Sequence, residues 1–552
     1  MKEEKGLKII PLGGCGDFGM NITAFQYDDS IIVVDAGIMF PSEELLGIDI
    51  IIPDLSFLKA NVDKIKAVVF THGHEDHIGA APFLAAIAHC PMYGTRFTLG
   101  LLKGKLAEHG LDRKVRLNTI RGGDSIEVDP FRIEFIRTAH SIPDSIALAI
   151  TTPAGVLIHT SDFKLDQTPI DGLTTDLATF SRYGSNSVLA LLSDSTNAEI
   201  PGMTPSEQLV GKTLEPIVLN AGRRVFFTTF ASHIHRIQQA VNIAAHAGRK
   251  ISFIGRSMMN TTDVALRMGY LNIPHGMICE DRKVMSLDPK KSMVIISGSQ
   301  GEPMSALSRV ALDDHRDIHI ESGDLVIMSA KSIPGNEKSI SAMINHIYKL
   351  GAEVILETVP GAHVSGHPGQ EELKIMINLV RPKYFIPIHG EYRQLMSHAA
   401  LARSTGIQND RIIICESGDV IEFRNGRAVK SGKVPIGMIY IDREFEEVEE
   451  LVVKDRRHIS EDGIILPVVA INKQTGDVEA EPEIISRGFV KEENEEFFKR
   501  AKEILLKTIH DANPEERKDK HVIKTKMYQE LKRYIKKELQ KRPMILPVVI
   551  EI

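Results

Sequence analysis

The run Thr71-His72-Gly73-His74-Glu75-Asp76-His77 gathers three imidazoles and two carboxylates just after the apolar stretch Ala67-Val68-Val69-Phe70. Imidazole nitrogen and carboxylate oxygen together suit zinc or manganese. The i, i+2 spacing lets His72 and His74 reach one ion while Asp76 and His77 turn towards a second, and Gly73 lets the backbone bend between them. The helical zinc-protease pattern HExxH is absent, because His74 and His77 are only three positions apart. Glu75 therefore reads as a solvent-facing or structural residue.

A histidine met alone is usually a core or surface residue. His140, Asp162 and His389 gain weight from position, because each closely follows a short β-branched run, at 133–136, 156–158 and 384–388. Asp35 ends the run 31–34 in the same way. Strand ends are where α/β folds place their chemistry. The elements that must hold these residues are buried strands of a layered α/β domain, which residues 1–204 begin.

From 205 to 357 the pattern becomes a regular alternation, with strands at 225–227, 251–254, 293–296 and 325–328 and helices at 234–247 and 339–350 that fit as crossovers of a parallel sheet. Residues 358–425 return to the first domain with a helix at 371–379 and the strand that ends at His389. Glycines, a proline and the acidic run EFEEVEE make 426–450 read as a linker. The segment 451–552 has a strand at 464–471, a Gly476-Asp477 turn, a helix carrying Phe497, Ala501, Ile504, Leu505 and Ile509, a helix through Leu531, Ile535 and Leu539, and a last strand at 544–550. A small α+β domain fits it best.

A chain of 552 residues is too long for one core, and at roughly 150 residues per domain it should hold three or four. With 43% hydrophobic and 25% charged residues, wholesale disorder and a fibrous repeat are poor readings. No window approaches the ~18 apolar residues of a membrane span, and MKEEKGLKIIPLGG lacks the apolar core of a secretory signal. A cytoplasmic protein with no membrane partner is expected. Cys15, Cys90, Cys279 and Cys415 lie far apart without a CxxC pair, which argues against a disulfide framework and a cysteine zinc site. The formal net charge of −7 provides no global field for a polyanion, so any nucleic-acid site is a local patch or contains metal. The basic run 517–542 is either such a patch or a solvated helix face.

His72, His74, Asp76 and His77, followed by His140, Asp162 and His389, resemble the HxHxDH pattern of the metallo-β-lactamase superfamily with its distant His, Asp and late His. The stretches LGIDIIIPD, THGHEDHIG, HSIPDS, LLSDSTNAE, FASHIHR, IGRSM, SGSQGEPM, IPIHGEYR, SRGFV and RPMILP resemble, in order and along nearly the whole chain, the bacterial ribonuclease J family of the β-CASP branch. The resemblance implies an α/β chain: an αββα metallo-β-lactamase sandwich, a β-CASP α/β domain inserted before the late histidine, and a small C-terminal α+β domain.

By the same resemblance His72, His74 and His140 hold one divalent ion, Asp76, His77 and His389 hold a second, Asp162 bridges them, and Asp35 orients ligand imidazoles. Two such ions, zinc or manganese, can supply hydroxide at neutral pH and neutralise the charge of an attacked phosphodiester, which makes Asp76 and Asp162 catalytic as well as ligating. His367 is the expected general acid or transition-state stabiliser. Ser232, His233, His363, Val364, Ser365, Gly366 and His367 are expected to line a pocket for the substrate's terminal phosphate.

His235 and Arg236 fall in the same motif and read either as substrate contacts or as a structural pair; Asp194 reads as a scaffold acceptor. The turn at 298–303 could cradle phosphate or simply join a strand to a helix. Two departures from the family pattern stand out. Ser161 replaces a common Gly before Asp162, and Pro368 removes a backbone donor beside His367. Asp49 and Asp442 are candidates for a shared structural calcium, as in some family members.

The function implied is RNA degradation and processing, including mRNA decay and rRNA processing, by 5′→3′ exonuclease and endonuclease action with a preference for 5′-monophosphate ends. A homodimer or homotetramer through the C-terminal domain, a paralogous subunit and an RNA-decay complex are the implied partners besides RNA. Two alternatives stand beside it: a small-molecule metallo-hydrolase, which uses the same early motif, and a non-catalytic RNA-binding subunit, as in family members with eroded motifs, although every ligand position is intact here.

Overall fold

The strands Ser30–Val34, Ile65–Val69 and Val188–Asp194 are apolar at nearly every position, as strands covered on both faces require. In the computed structural model they lie in two sheets that face each other. The structure is described for residues 6–42, 44–302, 304–333, 335–424, 426–489 and 495–552. It divides into two units, one comprising the chain to Phe40 and Ile51–Met438, the other Pro41–Ile50 and Ile439–Ile552.

In the first unit, an eight-stranded sheet has Leu7–Gly13, Ile22–Tyr27, Ser30–Val34 and Ile65–Val69 at its centre. A six-stranded sheet runs from Tyr384–Ile388 through Val188–Asp194 and Gly155–His159 to Ser125–Val128. Phe25, Val34 and Val69 from one sheet and Phe135, Leu148, Leu192 and Ile386 from the other share one buried cluster, the middle of the sandwich. Helices cover the far face of the six-stranded sheet, where Phe180 and Met376 pack on Ile158, Leu191 and Phe385. At ~1.5–3 kcal/mol for each large apolar side chain removed from water, this layer is what holds the strand ends in register. The result is the αββα arrangement the sequence implies.

The inserted domain is a five-stranded parallel sheet in the order Lys250–Ile254, Ser292–Ile296, Val225–Thr228, Leu325–Met328, Glu353–Ile355. Alternate residues point to opposite faces. Phe227, Ile295 and Ile327 meet the helix Ile234–His246 on one side, while Phe226, Val294, Ile296 and Val326 meet Val310 and Ile347 on the other. Pro303 of the expected turn at 298–303, and Val490 of SRGFV, lie outside the described residues.

The second unit is the small α+β domain. Its sheet is built on Ile464–Ile471, flanked by Glu483–Arg487 on one side and by Met544–Ile545 and Val548–Glu551 on the other. Phe497, Ala501, Leu505 and Ile509 on one helix and Ile523, Met527, Leu531 and Ile535 on the next repeat every four residues and close its core. The cations of the basic run occupy the opposite face of the second helix, where Lys526 pairs with Glu516 and Arg533 with Glu530.

The stretch expected to be a linker carries regular structure. Arg427–Lys433 pairs with Asp419–Arg424, and Tyr440 pairs with Val448 inside the acidic run. Charge hid the strand Arg427–Lys433, whose side chains are nearly all exposed at the sheet edge. Pro41–Ile50, far away in sequence, belongs to the second unit, where Asp49 N–H donates to the carbonyl of Ile441 at 2.8 Å.

Candidate metal centre

The site lies where strands of both sheets end. After Ile65–Val69 the chain passes through Thr71-His72-Gly73-His74 into the short helix Glu75–Ile78. Gly73 is closely packed, since a Cβ there would meet Leu101 Cδ1 at 2.7 Å and Leu101 would have to shift. Asp35, at φ +62°, ends the neighbouring strand. His140 and Asp162 follow Phe131–Arg137 and Gly155–His159, and His389, at φ +58°, follows Tyr384–Ile388.

Three sets of potential ligand atoms converge, each with all members within 4.8 Å of one another: His72, His74, His140 and Asp162; Asp76, His77, Asp162 and His389; and Asp162, Asp194, His367 and His389. Asp162 belongs to all three, and the first two contain every expected ligand. His74 Nδ1 lies 3.0 Å from His72 Nε2 and 3.1 Å from His140 Nε2, and His77 Nε2 lies 3.3 Å from His389 Nε2. Zinc–nitrogen bonds of about 2.0–2.1 Å at tetrahedral angles set neighbouring ligands about 3.3 Å apart, so the donors are already at coordinating separations. Asp162 Oδ2 is 3.4 Å from His77 Nε2 and 3.7 Å from both His72 and His140 Nε2, while its buried Oδ1 faces His389 Nε2 at 3.4 Å without a well-formed hydrogen bond. A buried carboxylate ringed by imidazole nitrogens is costly unless cations meet it. The residues present therefore fit a pair of divalent cations.

Hydrogen bonds on the far side of each ring fix which nitrogen faces the centre. His77 Nδ1 is 2.8 Å from Asp35 Oδ2, and Asp35 also accepts from the Thr71 backbone and hydroxyl at 2.7 and 2.8 Å. His140 Nδ1 donates to the Gly366 carbonyl at 2.7 Å. Thr196 donates its hydroxyl to Asp194 at 2.8 Å, so its oxygen accepts from His389 Nδ1 at 2.7 Å. Each of these rings turns Nε2 inward; His74 alone turns Nδ1.

Burial holds His74 down to about 4 and His72 and His140 well below the ordinary imidazole range, which keeps three donors neutral. Burial also opposes the charges of Asp162 and Asp76, but His389 and His77 outweigh it, and both carboxyls stay well below their usual range. The converse holds for the remaining two ligands: burial disfavours their charge, yet Asp162 and Asp76 pull His389 up to about 9 and His77 well above its usual value. A field that charges buried imidazoles also attracts metal cations.

His367, in the third set, stands beside the other two, its Nδ1 2.8 Å from Asp194 Oδ2 and 3.9 Å from Asp162 Oδ2. Burial works against its charge, but Asp194 raises its pKa above the ordinary value. The loop that carries it is held at successive residues. Arg236 contacts His363 Nδ1 at 3.1 Å and the Val364 carbonyl at 3.2 Å; Asn197 donates to Ser365 Oγ at 2.8 Å; Thr204 donates to the His367 carbonyl at 2.7 Å. A Cβ on Gly366 would lie 2.9 Å from His140 Nδ1, so only glycine lets this loop support that ring.

The other expected phosphate-pocket residues are less uniformly placed. Ser232 is half-buried. His233 is buried, accepts from Arg236 N–H at 3.3 Å and so caps its own helix, with Nε2 3.6 Å from Glu207. His235 lies 3.3 Å from Asp171 in the wall of a cavity of about 360 Å³ that also reaches His140. Arg236 is fully buried and forked onto Glu207 at 2.5 and 2.8 Å, a structural ion pair. Glu75 pairs with Lys105 at 2.7 Å, and Ser161, at φ +52°, adopts the backbone its glycine counterpart would favour. Asp442 spends Oδ1 on the N–H groups of Glu444 and Glu446.

Sequence reasoning missed two contacts. Asn21 Nδ2 lies 3.2 Å from Asp76 Oδ2 and 3.1 Å from His77 Nε2, and nothing in its local sequence marks it. Thr196 could have been found from its place two residues after Asp194 at a strand end.

A sandwich whose strand ends converge on two carboxylate-bridged histidine sets, with an α/β domain inserted before the last ligand, defines a metal-dependent nuclease of the metallo-β-lactamase superfamily. The superfamily model matches residues 15–194. The models described as ribonuclease J, beta-CASP domain, Zn-dependent metallo-hydrolase RNA specificity domain, and ribonuclease J C-terminal domain match 222–347, 351–412 and 451–552. The chain is 40% identical over 554 residues to ribonuclease J2 of Bacillus subtilis strain 168, spanning 100% of each chain. It is 42% identical over 556 residues to ribonuclease J of Thermus thermophilus, spanning 99% of this chain and 95% of the relative. The chain belongs to the ribonuclease J family. A crystal structure of a protein of unknown function from Enterococcus faecalis V583 shares the fold, with a TM-score of 0.52 at 14% identity over 76% of this chain and 100% of that one.

Proposed function

We propose that the chain degrades and processes RNA, hydrolysing phosphodiesters both internally and stepwise from the 5′ end, with a preference for 5′-monophosphate termini. The observation that carries this reading is the shared carboxylate: Asp162 stands in both sets of expected ligands, with His367 and Asp194 directly beside them. When bound, a pair of zinc or manganese ions supplies Lewis-acid charge and activates water at neutral pH. Asp76 and Asp162 compensate that charge and keep the surrounding imidazoles in place. His367, with Nδ1 committed to Asp194, has Nε2 left to hold a proton for the leaving oxygen.

The terminal-phosphate pocket is assigned to Ser232, His233, His235 and the loop His363, Val364, Ser365, Gly366 and His367. Support comes from the rigidity of that loop, which Arg236, Asn197 and Thr204 hold without using the Ser365 hydroxyl as a donor. RNA as the substrate is supported by the RNA-specificity domain match. A cytoplasmic location accords with the reading, and no described helix is long and apolar enough to cross a membrane. A homodimer or homotetramer through the C-terminal domain belongs to the same reading. A structural calcium at Asp49 and Asp442 is supported by the hydrogen bond from Asp49 N–H to the carbonyl of Ile441, the residue before Asp442.

The test is a time course on end-labelled 5′-monophosphate and 5′-triphosphate RNA, with and without added zinc or manganese. Metal-dependent release of nucleoside 5′-monophosphates, faster from the monophosphate end, is expected. Intact RNA under all conditions would overturn the reading.

A further inference from the structure

His140 is carried on a tight excursion between the strands Phe131–Arg137 and Ile146–Thr152. Its base is clamped: Thr138 N–H donates to the Ser145 carbonyl at 3.0 Å, and Ile146 N–H to the Thr71 carbonyl at 3.1 Å. Ile142 turns inward, and a Cβ on Gly73 would meet its Cδ1 at 3.3 Å. Asp144 closes the excursion at φ +61°, a left-handed backbone that aspartate tolerates better than most side chains.

The partners that fix Asp144 come from elsewhere. Its Oδ2 accepts from the Phe97 backbone N–H at 3.4 Å and from the hydroxyl of Tyr270, which belongs to the inserted domain. Tyr270 is rigidly presented. The helix Arg256–Met268 ends at Gly269, φ +78°, with Gly269 N–H bonded to Leu266 and Tyr270 N–H to Ala265 at 2.8 Å, the paired bonds of a Schellman cap. The Tyr270 ring lies 5.0 Å from that of Phe97, and one turn on, a Cβ on Gly100 would meet Met268 Cε at 2.5 Å. The inserted domain thus touches, through one side chain, both the helix Arg96–Glu108 and the loop of a metal ligand.

We propose that Tyr270 and Asp144 form a latch through which the inserted domain sets the position of His140, making both of them positioning residues for the metal centre. The inference rests on His140 being a ligand. If the hydroxyl of Tyr270 is removed, Asp144 keeps only the long contact to the Phe97 N–H, the turn it closes loosens, and the ring four residues earlier loses its aim.

Full-length Tyr270→Phe, Asp144→Ala, Asp144→Asn and the Tyr270→Phe/Asp144→Ala double variant are titrated with cobalt(II) against a competing chelator, and their visible spectra are recorded. Tyr270→Phe and Asp144→Ala should each weaken one of two cobalt equivalents by about tenfold, the lower edge of the range for residues that orient ligands, and alter the cobalt absorption band. Asp144→Asn, which keeps an acceptor for the tyrosine, should retain near-wild-type affinity. The double variant should be no worse than the single ones, because both act through one contact. Wild-type uptake of two equivalents with Tyr270→Phe unchanged in affinity and spectrum overturns the latch alone, as do losses that add in the double variant. Failure of the wild type to take up cobalt overturns the metal reading and the latch with it. Tyr270→Phe, the mildest change, decides the question if Asp144→Ala does not fold.

Discussion

Replacing Thr196 by valine keeps shape and removes one hydroxyl, and the structure says what that hydroxyl does. It accepts from His389 Nδ1 at 2.7 Å and donates to Asp194 at 2.8 Å. His389 is 6% exposed, so its N–H would find no water in exchange, and Asp194 Oδ1, 3.6 Å from Nδ1, is beyond hydrogen-bond distance. Leaving a buried donor unpaired costs about 1–3 kcal/mol. Loss of a residue that orients a metal-binding histidine typically weakens the metal about 10–100-fold, or about 1.4–2.7 kcal/mol, which agrees with the first figure.

The loss should fall on one ion only, because Thr196 touches none of His72, His74 or His140. Competition titration with a chromophoric chelator, resolving two equivalents, should show one site weakened by about 10–100-fold and the other unchanged. Circular dichroism serves as the control for folding. Two unchanged sites, or two sites weakened alike, would refute the reasoning that His389 is aimed by Thr196 at a separate ion.

Asp194→Asn should move the alkaline fall in turnover to lower pH: Asp194 raises the pKa of His367, and if the protonated ring is the acid, as proposed, activity is lost as pH rises through that pKa. A pH–rate profile with an unmoved alkaline limb would count against His367 as the acid. Gly366→Ala should lower affinity at the His72, His74, His140 site by about 10–100-fold, since its Cβ would lie 2.8 Å from Ser141 Oγ and 2.9 Å from His140 Nδ1; the same chelator competition reads it. Arg236→Met should destabilise the chain by about 3–5 kcal/mol by leaving Glu207 charged and buried, and the double Arg236→Met/Glu207→Leu should recover much of this in denaturant unfolding. Removing metal with a chelator should lower unfolding stability by about 2.7 kcal/mol per site for cations held at 100 times their dissociation constants.

Much of this was legible in the sequence, and the reason is physical. Strands such as Ile65–Val69 and Tyr384–Ile388 are covered on both faces, so their composition announces them, and the ligands sit at their ends, where a polar residue interrupts an apolar run. The four-residue repeat of Phe497, Ala501, Leu505 and Ile509 likewise follows from one helix face meeting a sheet. What stayed hidden depends on contacts between distant segments. Asn21 reaches Asp76 across 55 positions, Asn197 reaches Ser365 across 168, and Pro41–Ile50 leaves its neighbours for the other unit. The strand Arg427–Lys433 was masked by charge, because its hairpin leaves most of its side chains in water.

The central claim is that Asp162 lies between two cations held by separate histidine sets. Anomalous diffraction from crystals grown with zinc or manganese tests it most directly. Two peaks are expected, one beside His72, His74 and His140, the other beside Asp76, His77 and His389, with Asp162 touching both. A single peak remote from His389, or no ordered metal at saturating concentration, would contradict the account.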